Sequence, residues 1–516
     1  MMKKFQPTCF AVFILLIFSC SSTRTARVAG DDGKIEINLL QVNDVYEIAP
    51  LAGGTFGGMA RVATLKKQLR QQNPNTFLIM AGDFLSPSVF NSIRYQGKRV
   101  RGKQMVEAMN AAGMDFVTFG NHEFDITENE LQERINESGF TWIASNTLHK
   151  IKDSVLPFSR TGAVNAPFPE TFILNVSDAD GTKARVGFIG LTLPFNKASY
   201  VTYTDPLTKA VLLYNQLKDS VDAVVAITHQ LMEDDIRLAE ALPGLAAILG
   251  GHEHDMRNVK VGNVYITKAH ANAKSAFVVR LQVNKNTRTN NVFVRLQQLD
   301  TTVALDPNTN VVVDKWMTVA ANYYDSMGFA TNKVVLQSGS PLDGRESEIR
   351  KQPTNLTRLI VKAMEAAAPK AELVILNSGS IRVDDILPMP LTQYDILRSL
   401  PYGGGMIEVD MKGSLLKKIL ETGEGNKGLG GYLQISERVS YKKDPGSWYI
   451  GNNKIESDNV YRVALADFLL TGGETKLEFL TPKNPGITKV FEQSAGLPGL
   501  ADIRLAIIHF LEKEKE

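Results

Sequence analysis

Short apolar runs recur along the first half of the chain, and each delivers a polar residue able to bind a metal ion or a phosphate. Lys34 to Val42 places Ile35, Ile37 and Leu39 at alternate positions and runs into Asn43-Asp44-Val45-Tyr46. That period of two predicts a strand. Thr76 to Ala81 predicts a second, buried strand, which delivers Gly82-Asp83. Phe116 to Phe119 is apolar, β-branched and aromatic; it stops at Gly120, where the backbone turns into Asn121, His122 and Asp125. Asp222 to Thr228 delivers His229, and Leu245 to Leu249 delivers Gly250-Gly251-His252-Glu253-His254. Between these runs Met59, Val62, Leu65 and Leu69 recur at helical spacing under a Lys/Arg-rich face, the pattern of an amphipathic helix layered on a sheet.

Strands alternating with helices predict an α/β fold. On this pattern alone the sheet is largely parallel and covered on both faces, with its ligands gathered beyond the carboxyl ends of the strands. One histidine at a strand end is usually structural. Four of the seven histidines so placed, together with Asp44, Asp83 and Asn121, are not plausibly chance. His149, His270 and His509 lack that context and read as surface or core residues.

The clustered ligands suit two divalent ions about 3.5–4 Å apart, bridged by one carboxylate, an arrangement that can clamp a phosphate and generate a hydroxide nucleophile. Asp83 is the expected bridge. Asp44 and His254 would complete one ion's shell; Asn121, His229 and His252 would complete the other's. Mixed oxygen and nitrogen donors without thiolate suit zinc, manganese, cobalt or iron better than calcium. His122, with Asp125 three residues on, has the pattern of an imidazole held by a carboxylate, able to protonate a leaving group or stabilise charge beside a phosphate.

The second half has different chemistry. Thr301 to Asn310 is polar and contains Pro307, and Val313, Trp316, Val319 and Tyr323 then mark a connecting helix. Beyond Gln337 come Arg345, Arg350 and Arg382, the Asn377-Ser378-Gly379-Ser380 turn, a Gly-rich loop at Leu400 to Gly405, and Asp467-Phe468 leading into Thr471-Gly472-Gly473-Glu474. No internal repeat or low-complexity tract is visible.

Length and termini refine this picture. A chain of 516 residues can hold two or three domains, each with its own core. Met1 to Lys4 is short and basic, and Phe10 to Phe18 is apolar but too short to span a bilayer. The stretch Leu16-Ile17-Phe18-Ser19-Cys20 resembles a bacterial lipobox. It predicts a leader over 1–19, acylation of Cys20 and a polar tether over 20–34. Cys9 and Cys20 are the sole cysteines, so the mature chain would have one thiol, no disulfide and a use for that thiol. The expected location is the cell envelope, lipid-anchored, periplasmic or surface-exposed. Without residues 1–19 the chain carries 55 basic and 55 acidic residues. That balance offers no general field for a nucleic acid polymer, so anion recognition must be local. Oligomeric state is not legible.

The ordered blocks Asp44, Gly82-Asp83, Gly120-Asn121-His122-Glu123, His229 and Gly251-His252-Glu253-His254 resemble the calcineurin-like metallophosphoesterases. The second half resembles the C-terminal domain of the 5′-nucleotidase and UDP-sugar hydrolase family. The residues that carry it are Thr354-Asn355, NSGSIR ending at Arg382, LPYGG around Tyr402, GGYLQIS around Tyr432 and DFLLTGGE around Phe468. Together they span most of residues 35–515. The resemblance implies a calcineurin-like β-sandwich with flanking helices over 35–305. A linker helix within 306–336 would join it to a C-terminal α+β substrate-binding domain over 337–516.

It also implies roles. His122 and Asp125 match the family's catalytic dyad, and Arg350 and Arg382 its substrate-anion arginines. Arg345 corresponds to a third, one residue further from Arg350 than the family spacing. Tyr402 and Phe468 match the two rings that sandwich the base. Two departures stand out. Tyr46 occupies the place of a histidine ligand, and either ligates or leaves its ion with a water. Gly404 stands where an Asn often contacts the base, and Glu474 where an Asp lies near the ribose, so base and sugar selectivity stay open. The implied function is a metal-dependent phosphoric ester hydrolase outside the cytoplasm, acting on nucleoside 5′-monophosphates and other nucleotides or nucleotide sugars. The alternatives are a phosphodiesterase acting on cyclic nucleotides and a catalytically weakened nucleotide-binding lipoprotein.

Overall fold

The apolar runs form strands where expected, yet they divide between two sheets. In the computed structural model of the chain, residues 1, 30–162, 165–196, 198–444, 446–491 and 502–513 are described. Residues 2–29, with the apolar leader and Cys20, lie outside them.

The first sheet has six strands in the order Thr289–Gln298, Ser275–Asn284, Lys34–Val42, Thr76–Ala81, Phe116–Thr118, Thr141–Trp142. The last four run parallel, and the other two form an antiparallel hairpin added to Lys34–Val42. The second sheet also has six, in the order Thr171–Ser177, Lys183–Thr192, Ala223–His229, Ala247–Gly251, Val264–Lys268, Arg257–Val261. Its four inner strands are parallel and its edges antiparallel.

The single parallel sheet read from the alternation is therefore corrected to a sandwich. Ile35, Ile37, Leu39 and Ile79 of one sheet share a buried core with Val186, Phe188, Val225 and Leu249 of the other. On the outer face of the first sheet, Leu40, Val42 and Met80 pack with Val62, Met105 and Met109 of the helices Met59–Gln72 and Lys103–Ala112. The second sheet packs Ile189, Val224 and Ile248 with Leu213 and Leu238 of the helices Pro206–Leu217 and Met232–Ala241. Strands buried on both faces read as near-continuous apolar runs whatever covers them. The pattern records double burial and not whether the cover is a helix or a sheet.

The linker helix Pro307–Asp325 starts where Asp306 accepts the Thr309 amide and Pro307 presets the first turn. It packs on the first domain: the Trp316 indole donates to Glu107 at 2.9 Å and the Tyr324 hydroxyl to the Val89 carbonyl at 2.8 Å. Beyond it, a five-stranded sheet runs in the order Leu433–Ile435, Leu373–Asn377, Val460–Ala466, Met406–Lys412, Ile487–Val490. In its strand Leu373–Asn377, Val374 and Leu376 pack towards helices Asn355–Ala367 and Ile503–Lys513, while Leu373 and Ile375 pack towards Gly413–Glu424. One apolar core continues from the first domain's helices through Trp316 and Tyr324 to Ile360 and Ile507. Polar contacts close the domains further: Tyr394 donates to buried Glu47 at 2.7 Å, and Lys274 pairs with Asp385 at 2.8 Å.

Candidate functional site

Strand ends from both sheets of the sandwich converge on one buried cluster. Ligand atoms of Asp44, Asp83 and His229 lie within 4.8 Å of one another. The close approach is possible because Gly120 has no side chain: a Cβ there would sit 2.1 Å from Asp83 Oδ1. Asp44, Asp83 and His252 have φ of 52°, 56° and 87°, left-handed conformations that non-glycine residues adopt at a cost the surrounding structure must overcome.

The hydrogen bonds divide the oxygens by task. Asp44 Oδ2 accepts from Asn43 Nδ2 at 2.7 Å and from the His252 amide at 3.0 Å, which leaves Oδ1 towards the cluster. Asp83 Oδ1 accepts the His122 amide at 2.8 Å. Its Oδ2 lies 3.2 Å from the Tyr46 hydroxyl on one side and 3.2 Å from His229 Nε2 on the other, the placing of a bridging oxygen. Glu123 supports this corner. Its carboxylate takes the amides of Asp83, Phe84, Leu85 and Gly120 at 2.6–3.0 Å.

These donors fit divalent ions. Asn121 Oδ1 is buried and has no hydrogen-bond partner among the described residues, although groups this deep are normally paired, and buried His229 Nε2 faces the carboxylates of Asp83 and Asp44. The His229 Nδ1–H donates to the Ala81 carbonyl at 2.9 Å, which leaves Nε2 as the nitrogen able to ligate an ion. Tyr46 Oη lies 2.9 Å from His254 Nε2, 3.2 Å from Asp83 Oδ2 and 3.5 Å from Asp44 Oδ1. Ligands sharing one ion with bonds of about 2.1 Å stand about 3.0–3.4 Å apart. Tyr46 thus has the spacing of a ligand in the position the sequence left open.

Electrostatics agree with a cluster built around positive charge. Burial alone would raise the Asp83 carboxyl, but the His229 and His122 imidazoles outweigh it and hold the group well below its usual range. Burial pulls His229 down, yet Asp83 and Asp44 carry it up to about 9. His254 is likewise carried up to about 10, mainly by Asp384. His252, desolvated and facing His229, is pushed down to about 3. Burial and the neighbouring carboxylates push the Tyr46 phenol well up. A divalent ion would displace the protons that His229 and His254 hold at these values.

His122 lies beside the cluster. Its Nδ1 pairs with Asp125 Oδ2 at 2.6 Å, and Asn196 donates to Asp125 Oδ1 at 3.0 Å. Arg382 Nη2 of the second domain donates to His122 Nε2 at 3.0 Å. The imidazole is thus held at both ends, by residues 3 and 260 positions away. A cleft of about 570 Å³ separates the domains here, with Tyr46, Asp83, His122 and His254 on one wall and Arg345, Arg350 and Arg382 on the other.

The remaining expected residues divide. Arg350 pairs with Glu346 at 2.6 Å, and the same carboxylate lies 3.9 Å from Arg382. Arg345 lines the cleft but is held by Asp343 at 2.6 Å. Tyr402 and Phe468 are 48% and 43% exposed, with open rings. Glu474 is buried and accepts Asn377 Nδ2 at 2.7 Å, so its carboxylate already has a partner inside the domain. Sequence reasoning passed over Glu346, Asp384 and His270, all of which line the cleft. Their chain neighbours are the sole hint, Glu346 next to Arg345 and Asp384 two residues past Arg382.

Comparison with known proteins adds independent findings. A family model described as calcineurin-like phosphoesterase matches residues 37–256, and one described as 5′-nucleotidase, C-terminal domain, matches residues 327–481. The chain is 25% identical over 501 residues to a 5′-nucleotidase of Bos taurus, covering 85% of this chain and 83% of that protein. It is 24% identical over 494 residues to a trifunctional nucleotide phosphoesterase of Bacillus subtilis, covering 86% of this chain and 32% of that one. The crystal structure of a 5′-nucleotidase precursor from Thermus thermophilus superposes with a TM-score of 0.69 at 20% identity, over 93% of this chain and 97% of that chain.

Proposed function

The chain belongs to the family in which a calcineurin-like phosphoesterase domain precedes a 5′-nucleotidase C-terminal domain, and from that premise we propose a dimetal enzyme that releases phosphate from nucleoside 5′-monophosphates. It is a metal-dependent phosphoric ester hydrolase. One observation carries the finer reading: the cleft sets metal-type ligands opposite Arg350 and Arg382, with His122 reaching the same space.

Asp44, Tyr46, Asp83 and His254 would hold one divalent ion, and Asp83, Asn121, His229 and His252 the other; zinc, manganese, cobalt or iron fits the donor set. Such ions supply the charge that clamps a phosphate and sharpens an attacking water. The chain's own groups supply position and protons. Arg350 and Arg382 offer donor forks to the substrate's anionic oxygens. When Arg382 turns from His122 to the substrate, Nε2 is released towards the phosphate. Asp125 keeps Nδ1 protonated, so Nε2 can hold a proton at the leaving 5′ oxygen or stabilise charge there. Tyr402 and Phe468, exposed on the second domain, would stack the base. The lipobox-like stretch at Leu16 to Cys20 supports a location outside the cytoplasm, on a lipid at Cys20.

The test is phosphate release from AMP by chelator-stripped protein before and after addition of manganese or zinc. Release that returns with metal supports the reading; no release from AMP with any of the four candidate metals would sink it. Glu346 favours a second reading. Lying against both arginines, it leaves them about one net positive charge, which suits a monoanionic diester such as a cyclic nucleotide better than a dianionic phosphate. A kcat/KM for cyclic AMP above that for AMP would favour this second reading.

A further inference from the structure

His254 is oriented from the opposite domain. Its Nδ1 pairs with Asp384 Oδ2 of the second domain. Its Nε2 faces the ligand cluster, 2.9 Å from the Tyr46 hydroxyl and 3.6 Å from Asp44 Oδ1. A carboxylate on Nδ1 fixes the proton there and turns the Nε2 lone pair to the ion position. His229 is oriented differently: the Ala81 carbonyl of its own domain receives its Nδ1–H.

Asp384 is itself firmly placed. Its Oδ1 accepts the Glu346 amide at 2.5 Å, and its backbone takes a left-handed φ of 36°. Arg382, two residues earlier, donates to His122. One short segment of the second domain thus reaches both the ligand cluster and the dyad. Because the Tyr46 phenol is a weak ligand when neutral, the ion position it shares leans more heavily on His254.

We propose that Asp384 is a positioning residue of the metal centre, completing the ion position of Asp44, Tyr46, Asp83 and His254 only when the second domain is closed on the first. Affinity for that one ion is then set partly by the domain that receives the nucleoside. The inference rests on the dimetal reading above.

The experiment measures ions rather than turnover. Full-length protein is stripped with a chelator and titrated with zinc against a chromophoric competitor, with elemental analysis of stoichiometry. Wild type should bind two ions. Loss of a partner that orients a ligating histidine typically weakens metal affinity by about 10–100-fold. Asp384→Ala should weaken one ion by that factor and leave the other within about twofold. Asp384→Asn keeps the size and tolerates the left-handed backbone; it should lose less, because its amide oxygen still accepts the Nδ1–H. Asp385→Asn is the control: it removes the charge from the interdomain Lys274 pair at 2.8 Å without touching His254, and should weaken that ion by less than Asp384→Ala does. In an Asp384→Ala, His254→Ala double variant the two losses should fail to add.

Unchanged affinities in both Asp384 variants would overturn the proposal. So would equal weakening by Asp385→Asn, which would assign the effect to a loosened interface. If wild type itself binds fewer than two ions, the dimetal reading falls first, and the distinction is visible before any variant is made.

Discussion

Removing one open ring of the second domain should separate recognition from chemistry. Tyr402 and Phe468 are 48% and 43% exposed. Aromatic side chains of this kind carry about 150–250 Å² of surface, so roughly 90 Å² of each is open. A base stacked on the ring would cover between half and all of that. At about 25 cal/mol per Å² this amounts to about 1–2 kcal/mol per ring, within the ~1–3 kcal/mol measured for base–aromatic stacking in single-strand binders. Since 1.4 kcal/mol is a factor of ten, Phe468→Ala or Tyr402→Ala should raise KM for AMP about 5–30-fold with kcat little changed. A small aryl phosphate has no base and should be hydrolysed almost as before. The assay is the ratio of kcat/KM for AMP to that for the aryl ester, measured alongside metal content. An unchanged ratio in both variants would refute the assignment of these rings to the base, whatever the metal centre does.

Glu346→Gln removes the carboxylate that lies against Arg350 and Arg382. It should lower KM for AMP about fivefold, from about 1 kcal/mol for a partly exposed pair; a raised KM would mean that Glu346 instead holds the arginines in place. Lys268 is fully buried between Asp235, at 2.9 Å, and Glu253. Lys268→Met leaves those carboxylates unpaired and should cost about 3–5 kcal/mol in urea unfolding, with part regained in Lys268→Met, Asp235→Asn; a loss under about 1 kcal/mol would contradict the reasoning. Cys20→Ser should move activity from the membrane fraction to the soluble fraction, and unchanged membrane association would end the lipid-anchor proposal.

Local order carried most of what could be read in advance. Asp83, Asn121, His122 and His252 follow apolar runs directly, so their placement beyond strand ends came with the pattern. The helix Met59–Gln72 and the strand Thr76–Ala81 appear where periodicity put them. Glu474 shows the limit. The family resemblance set it near the ribose, and nothing in the sequence signalled that Asn377, 97 residues away, donates to its carboxylate.

What the chain alone determined, then, is which residues stand at the ends of which strands, because that is a relation between covalent neighbours and is written in alternation and breaks. Its candidate ligands, their order and the change to arginine and aromatic chemistry beyond Gln337 follow from such neighbours. Tertiary structure decided the rest. Both faces of Lys34–Val42 are apolar, and only packing assigned one to a second sheet and the other to helices. Whether Tyr46 stood among ligands depended on how its ring lay across Asp83 and His254. Arg382 and Asp384 meet His122 and His254 because the domains close on each other. Contacts of that kind leave no period in a sequence: they depend on two surfaces whose complementarity exists only after each has folded.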